Sequence, residues 1–178
     1  MELSALKCPI GTYLRVTAPS TDELNNWISD LEALPSRLSE VVSGLSATEL
    51  NYIYRPEGWT IQQVVHHLAD SHMNSIIRFK LALTEDTPTI RPYLEDKWAE
   101  LADVRLVDVR ASITILEGVH QRLTALLRSL SEDELQRSFV HPEHNRKITI
   151  AENIGLYAWH SNHHLAHILQ ALKFKGKF

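Results

Sequence analysis

The sequence predicts an all-α protein built as a four-helix bundle, and three observations carry that expectation. Four long segments repeat apolar residues at three- and four-residue spacing, the period of one helix face. Three of the four open on a hydroxyl residue with an acid or amide three places on, at Ser20/Glu23, Thr60/Gln63 and Thr149/Glu152, the pattern of a reciprocal helix cap. Glycine and proline number only 6 and 7 in 178 residues, too few for a turn-rich all-β chain.

Taken in order, residues 1–19 carry Pro9, Gly11 and Pro19 without a helical period and read as an extended arm over the body. From the Ser20 cap, Leu24, Trp27, Ile28, Leu31, Leu34, Leu38, Val41 and Val42 share one face of the first long helix. Pro35 removes a backbone donor within it, which predicts a kink or break near Leu34, and Gly44 ends it. Ser46 and Glu49 cap one short turn before Arg55-Pro56-Glu57-Gly58 breaks the chain. The second long helix follows from Thr60, with Ile61, Val64, Val65, Leu68, Ile76, Phe79 and Leu83 as its stripe. Pro88 and Pro92 then predict a long crossover loop from Thr84 to Leu101, with a short helical turn at 96–101.

The third long helix starts between Leu106 and Ala111 and carries Ile113, Leu116, Val119, His120, Leu123, Leu126, Leu127 and Leu130. Ser131 and Glu134 cap another short turn. Phe139-Val140 and Lys147-Ile148 flank Pro142-Glu143-His144-Asn145 as a small hairpin. The last helix runs from its Thr149 cap to about Lys173, near the basic tail Lys173, Lys175 and Lys177.

The length suits one domain spanning 1–178. A net charge of -4 and a pI near 6.2, with no run of basic residues, leave no electrostatic footprint for nucleic acid. Cys8 is the single cysteine, so a reducing compartment is expected, and the cytoplasm fits. The N-terminus lacks a basic region followed by an apolar core, and nowhere do 18 apolar residues run together, which argues against secretion and membrane insertion.

Chemistry concentrates in Ala158–Gln170, which holds four of the ten histidines. His160 and His164 lie one turn apart on one face, as do His163 and His167, and two imidazoles so spaced can share a metal ion. One isolated pair is more simply a solvent-facing polar stripe. Here Leu156, Tyr157, Trp159, Leu165, Ile168, Leu169 and Leu172 leave little polar surface, and an imidazole among apolar neighbours needs a partner. His67, with Val64 and Ser71 at its i-3 and i+4 positions, lies at the border of the second helix's buried stripe. Bundles build metal sites from facing helices, so one pair plus His67 would give three neutral nitrogens, a set that leaves positions open for water or substrate. Zinc is the first expectation, and imidazole also suits nickel and iron.

Other chemistries find less support. His160 and His164 have zincin spacing, but Ser161 stands where the glutamate base would be. A Gly-x-Ser-x-Gly turn and a Gly-rich phosphate loop are absent, and Cys8 has no identifiable activating base.

With Gly58-Trp59-Thr60, Val64-Val65-His66-His67-Leu68-Ala69-Asp70-Ser71-His72 and Trp159-His160 followed by His163-His164, the sequence resembles the DinB-like superfamily of four-helix-bundle proteins, and within it the YfiT-like group of metal-dependent hydrolases and bacillithiol transferases. The likeness extends to Pro9-Ile10-Gly11, Arg78-Phe79-Lys80-Leu81 and Ile90-Arg91-Pro92-Tyr93. It implies His67, His160 and His164 as ligands of one divalent metal, leaves His163 and His167 as outer or surface residues, and implies a homodimer. Leu94 stands where the nearest relatives are expected to carry an acid, with Glu95 and Asp96 one and two places later.

By this resemblance the activity expected is metal-dependent S-transfer, coupling a low-molecular-weight thiol such as bacillithiol to an electrophilic small molecule. Hydrolysis by a metal-activated water is the alternative, because the same three histidines serve either nucleophile. Hydrolysis usually asks for a base nearby, and neither Asp70 nor Glu152 is placed by spacing as an obvious one. A metal-stabilised helical module without enzymatic activity is the third reading.

Overall fold

A computed structural model of the chain describes residues 2–143 and 146–178. Helix α1 (Leu3–Lys7) lies in the N-terminal arm; α2 (Thr21–Val42), α4 (Ile61–Thr84), α7 (Val109–Arg128) and α9 (Ile150–Phe174) are the long helices. Short helices α3 (Ala47–Leu50), α5 (Glu95–Trp98), α6 (Ala102–Leu106) and α8 (Glu132–Gln136) sit in the connections. Strands β1 (Ser138–His141) and β2 (Arg146–Thr149) pair antiparallel, with Phe139 opposite Ile148. At the tip of this hairpin, His144 and Asn145 lie outside the described residues.

Each reciprocal cap read from the sequence forms. Ser20/Glu23, Ser46/Glu49, Thr60/Gln63, Ser131/Glu134 and Thr149/Glu152 all exchange both hydrogen bonds. Two expectations about the first segments need correction. The arm is not wholly extended, because Leu3–Lys7 makes a helical turn that buries Leu6. Helix α2 continues across Pro35 from Thr21 to Val42, so of the kink or break expected near Leu34 the break does not form. The connection also contains α6, which lies after the predicted crossover loop in a stretch to which the sequence assigns no element.

The four long helices form a bundle in which α2 packs against α7 and α9, and α4 packs against the same two. Consecutive helices α2 and α4 therefore face each other across the diagonal. Side-chain contacts fix the directions: His66 meets Ser112 and His72 meets His120, so α4 and α7 run parallel. His67 meets His160 while Arg78 meets Tyr157, so α4 and α9 run antiparallel. A parallel α4–α7 pair requires the chain to return along the bundle, which residues 85–108 do. The hairpin pins that crossover: Ile90 N–H donates to Val140 O at 3.0 Å and Val140 N–H to Pro88 O at 2.8 Å.

The apolar core falls into two halves. One gathers Leu34, Leu38, Val65, Leu68, Leu116 and Ile168; the other gathers Leu31, Phe79, Leu123, Phe139, Ile150 and Ile154. Between them the facing helices contribute polar groups: Ser71, His72 and Ser75 from α4, His120 and Thr124 from α7, and Tyr157, His160 and Ser161 from α9. Burying a polar layer is costly unless its groups find partners, so the middle of this bundle is where function is to be sought.

Candidate metal centre and cavity

On α9, Asn153, Tyr157, His160, His164 and His167 recur at three- and four-residue spacing and share one face. On α4, Gln63, His67 and Ser71 at four-residue steps, and Arg78 seven residues further on, also share one face. These two stripes face each other across a cavity of about 1150 Å³. The arm covers it along α9. His167 Nε2 pairs with Lys7 O at 3.0 Å, Gln170 Nε2 donates to Leu6 O at 3.0 Å, and the Tyr13 hydroxyl donates to Glu152 O at 3.2 Å. Arg15 closes the series with an ion pair to the Glu152 carboxylate.

His67, His160 and His164 converge on the cavity, each offering a ring nitrogen within 4.8 Å of the others. His67 Nε2 and His160 Nε2 stand 3.3 Å apart. Two nitrogens at zinc-bonding distance from one tetrahedral ion stand about 3.3 Å apart, so this separation suits a shared ion. The three rings also have the right charge state. Burial pulls His67 down to about 4, and burial followed by neighbouring imidazoles holds His160 and His164 well below the ordinary histidine value, so all three are neutral donors at neutral pH. Trp59 packs against His67, with ring centroids 4.8 Å apart, and walls the cluster on one side. The residues therefore fit a divalent cation, and among the described residues no carboxylate joins the cluster.

His163 and His167 are not surface residues. His163 stacks on Trp159 at 4.4 Å, and His167 stacks on Tyr54 at 3.8 Å, both buried beneath the arm. Neither Asp70 nor Glu152 lines the cavity. Burial and the neighbouring Asp103 push Asp70 up to about 6. For Glu152, burial pushes upward but hydrogen bonds from Arg15 and the Thr149 N–H outweigh it, so it stays ionised. Glu95 and Asp96 do line the cavity, from the exposed start of α5. The sequence reading gave no role to Arg78, Asn153 or Arg146, which also line it. The signal was present for Asn153, which stands seven residues before His160 on the same helix face.

A diagonal helical bundle with a three-histidine cluster defines a class, and the chain belongs to the DinB superfamily, whose family model matches residues 30–168. Its resemblance to one group is close. The chain is 47% identical over 171 residues, 96% of each chain, to the Bacillus subtilis protein named "Putative metal-dependent hydrolase YfiT". The solved structure of YfiT, described as an unusual four-helix bundle topology, superposes with a TM-score of 0.93 at 46% identity, covering 97% of this chain and 98% of that one. The mycothiol-dependent maleylpyruvate isomerase shares the fold at a TM-score of 0.59 and 20% identity, over 79% of this chain and 60% of its own.

Proposed function

We propose that the chain is a metal-dependent S-transferase that couples a low-molecular-weight thiol, such as bacillithiol, to an electrophilic small molecule. The observation that carries this reading is the all-imidazole cluster lining a large cavity, which among the described residues no carboxylate joins, the acids that line the cavity standing on its exposed connections. When held by His67, His160 and His164, a divalent cation, Zn2+ first and Ni2+ second, lowers the pKa of a thiol brought beside it, so that thiolate is available near neutral pH. The sulfur attacks the electrophilic carbon, the new S–C bond forms as the bond to the leaving group breaks, and the thiol proton passes to solvent. Trp59 walls the cluster on one side, and the arm, through Lys7 and Tyr13, walls the cavity. The fold shared with a mycothiol-dependent isomerase accords with thiol chemistry.

Metal-dependent hydrolysis is the second reading, favoured by the name that the 47%-identical relative carries. We also infer a homodimer working in a reducing cytoplasm. Light scattering on the purified protein tests the dimer.

The deciding experiment measures metal content together with turnover of monochlorobimane, using bacillithiol, cysteine or no thiol, for wild type and His164→Ala. Thiol-dependent turnover lost along with the metal supports transfer. Stoichiometric metal without thiol-dependent turnover directs attention to esters and amides, and absence of metal from both proteins overturns the site.

A further inference from the structure

Away from the three histidines the cavity gathers Asn153, Arg78 and Arg146, each with a buried nitrogen donor that has no acceptor among the described residues. Asn153 lies two helical turns before His160, about 10 Å along α9 at 1.5 Å per residue. It is 1% exposed, and its Nδ2 has no acceptor among the described residues. Arg78 reaches the cavity from α4: its Nη1 donates to the Tyr157 hydroxyl at 3.2 Å, one turn from Asn153, while its Nε is buried without a partner. Arg146 arrives from β2. Its Nη1 likewise lacks a hydrogen bond, and the Glu152 oxygen 3.8 Å away already accepts from Arg15.

One carboxylate thus serves two guanidinium groups, and Arg78 has no ion pair within 4.0 Å among the described residues. The acids lining the same cavity, Glu57, Glu95, Asp96, Glu100 and Glu143, are all exposed on the connections around it. Buried donors without acceptors cost free energy, and a planar guanidinium fork matches a carboxylate better than any neutral group.

We propose that Arg78, Arg146 and Asn153 form a subsite for a carboxylate of the small-molecule substrate, holding it so that the reacting end lies at the three-histidine cluster. This rests on reading the cavity as the substrate site and adds the substrate's class: an organic acid, with its anionic group about two helical turns from the reacting atom. The subsite works through charge and shape alone and does not depend on the metal.

Calorimetric titration of the full chain with succinate, its neutral isostere succinamide and inorganic phosphate tests it. Succinate is expected to bind at least about tenfold more tightly than succinamide, and Arg78→Gln or Arg146→Gln to weaken succinate about tenfold each, the worth of one charge-assisted hydrogen bond. Arg146 is partly exposed on the hairpin, so its variant keeps the test open if Arg78→Gln fails to fold, which thermal melting reports. Equal affinity for succinate and succinamide, unchanged affinity in both variants, or phosphate bound more tightly than succinate would overturn the proposal. Failure of the transfer reading is distinguishable: monochlorobimane turnover is then absent while arginine-dependent succinate binding remains. Failure of the subsite leaves thiol-dependent turnover that succinate does not inhibit.

Discussion

His120 supplies the hydrogen bond that Pro35 withholds. In an uninterrupted helix the N–H of residue 35 would donate to the Leu31 carbonyl, and proline has none to give. The Nδ1 of His120, crossing from α7, donates to that carbonyl instead. A carbonyl only accepts, so Nδ1 carries the proton, and Nε2 of the neutral ring must accept from His72 Nδ1 at 2.9 Å. The His72 ring packs in turn against His160, with centroids 5.6 Å apart. One proline on α2, the long helix that lends no side chain to the histidine layer, thereby fixes the tautomers of a buried pair beside the metal cluster.

A double-mutant cycle measures this coupling. In the metal-free protein His120→Leu leaves both the Leu31 carbonyl and the His72 donor unpaired and is expected to cost about 1–3 kcal/mol in urea unfolding for each orphaned group. In a Pro35→Ala background the restored N–H satisfies Leu31, so the cost of His120→Leu should fall by about 1 kcal/mol. Equal costs in the two backgrounds would show that the carbonyl is not shared in this way.

The buried histidines also set the pH dependence of the fold. Burial brings His67 and His120 from 6.5 to about 4 and His167 to about 3, and it holds His72, His160 and His164 well below the usual range. The unfolded chain therefore binds more protons than the native one between about pH 6.5 and pH 4, and stability must fall as pH falls through that window. His120, buried and without a nearby acid, is worth about 3 kcal/mol by its shift alone. Asp70, raised to about 6, acts in the opposite sense as a single group. Urea unfolding of metal-free protein at pH 7.5 and pH 5 should show lower stability at pH 5. Equal or higher stability there would mean that the histidines are solvated.

How far the sequence reveals this fold depends on how local the cause is. A reciprocal cap is written within four residues, so Ser20/Glu23 and Thr149/Glu152 could be read directly, as could the hairpin from Phe139 and Ile148. The continuity of α2 through Pro35 could not be read, because the group that rescues the freed carbonyl is 89 residues away in the chain. The turn at Leu3–Lys7 depends on docking against Gln170 and His167, and its short length carries no period. In the site, both i,i+4 histidine pairs and His67 at the border of the second helix's stripe were visible, and the family pattern chose His160 and His164 over His163 and His167. Asn153 was marked only by standing seven residues before His160 on the same helix face, and Arg78 and Arg146 were hidden, because no spacing rule marks a lone arginine whose acceptor is missing.

Gly155 is a position where α9 lies close against α2. A Cβ there would stand 2.9 Å from the Trp27 ring, closer than van der Waals contact permits. Alanine gains up to about 1 kcal/mol of helix propensity over glycine, while overpacking costs about 1–3 kcal/mol. Gly155→Ala is therefore expected to lower stability, and pairing it with Trp27→Leu should recover the loss. An unchanged or raised melting temperature for Gly155→Ala alone would mean that the ring moves aside freely.

The choice between the two histidine pairs has a consequence that needs no substrate. If His67, His160 and His164 hold the ion, zinc binds the folded chain and stabilises it by mass action, about 2.7 kcal/mol at a free concentration one hundred times the dissociation constant. For a domain of this size that amounts to about 5–10 °C in melting temperature. Replacing His67 or His164 by alanine removes a ligand from a three-nitrogen set and should abolish both stoichiometric zinc and the thermal shift. His163→Ala should retain both, because that ring stacks on Trp159 and lies outside the cluster. Differential scanning fluorimetry with and without a chelator, run beside elemental analysis, separates the alternatives: a shift that survives in His164→Ala but vanishes in His163→Ala would move the ion to the other face of α9.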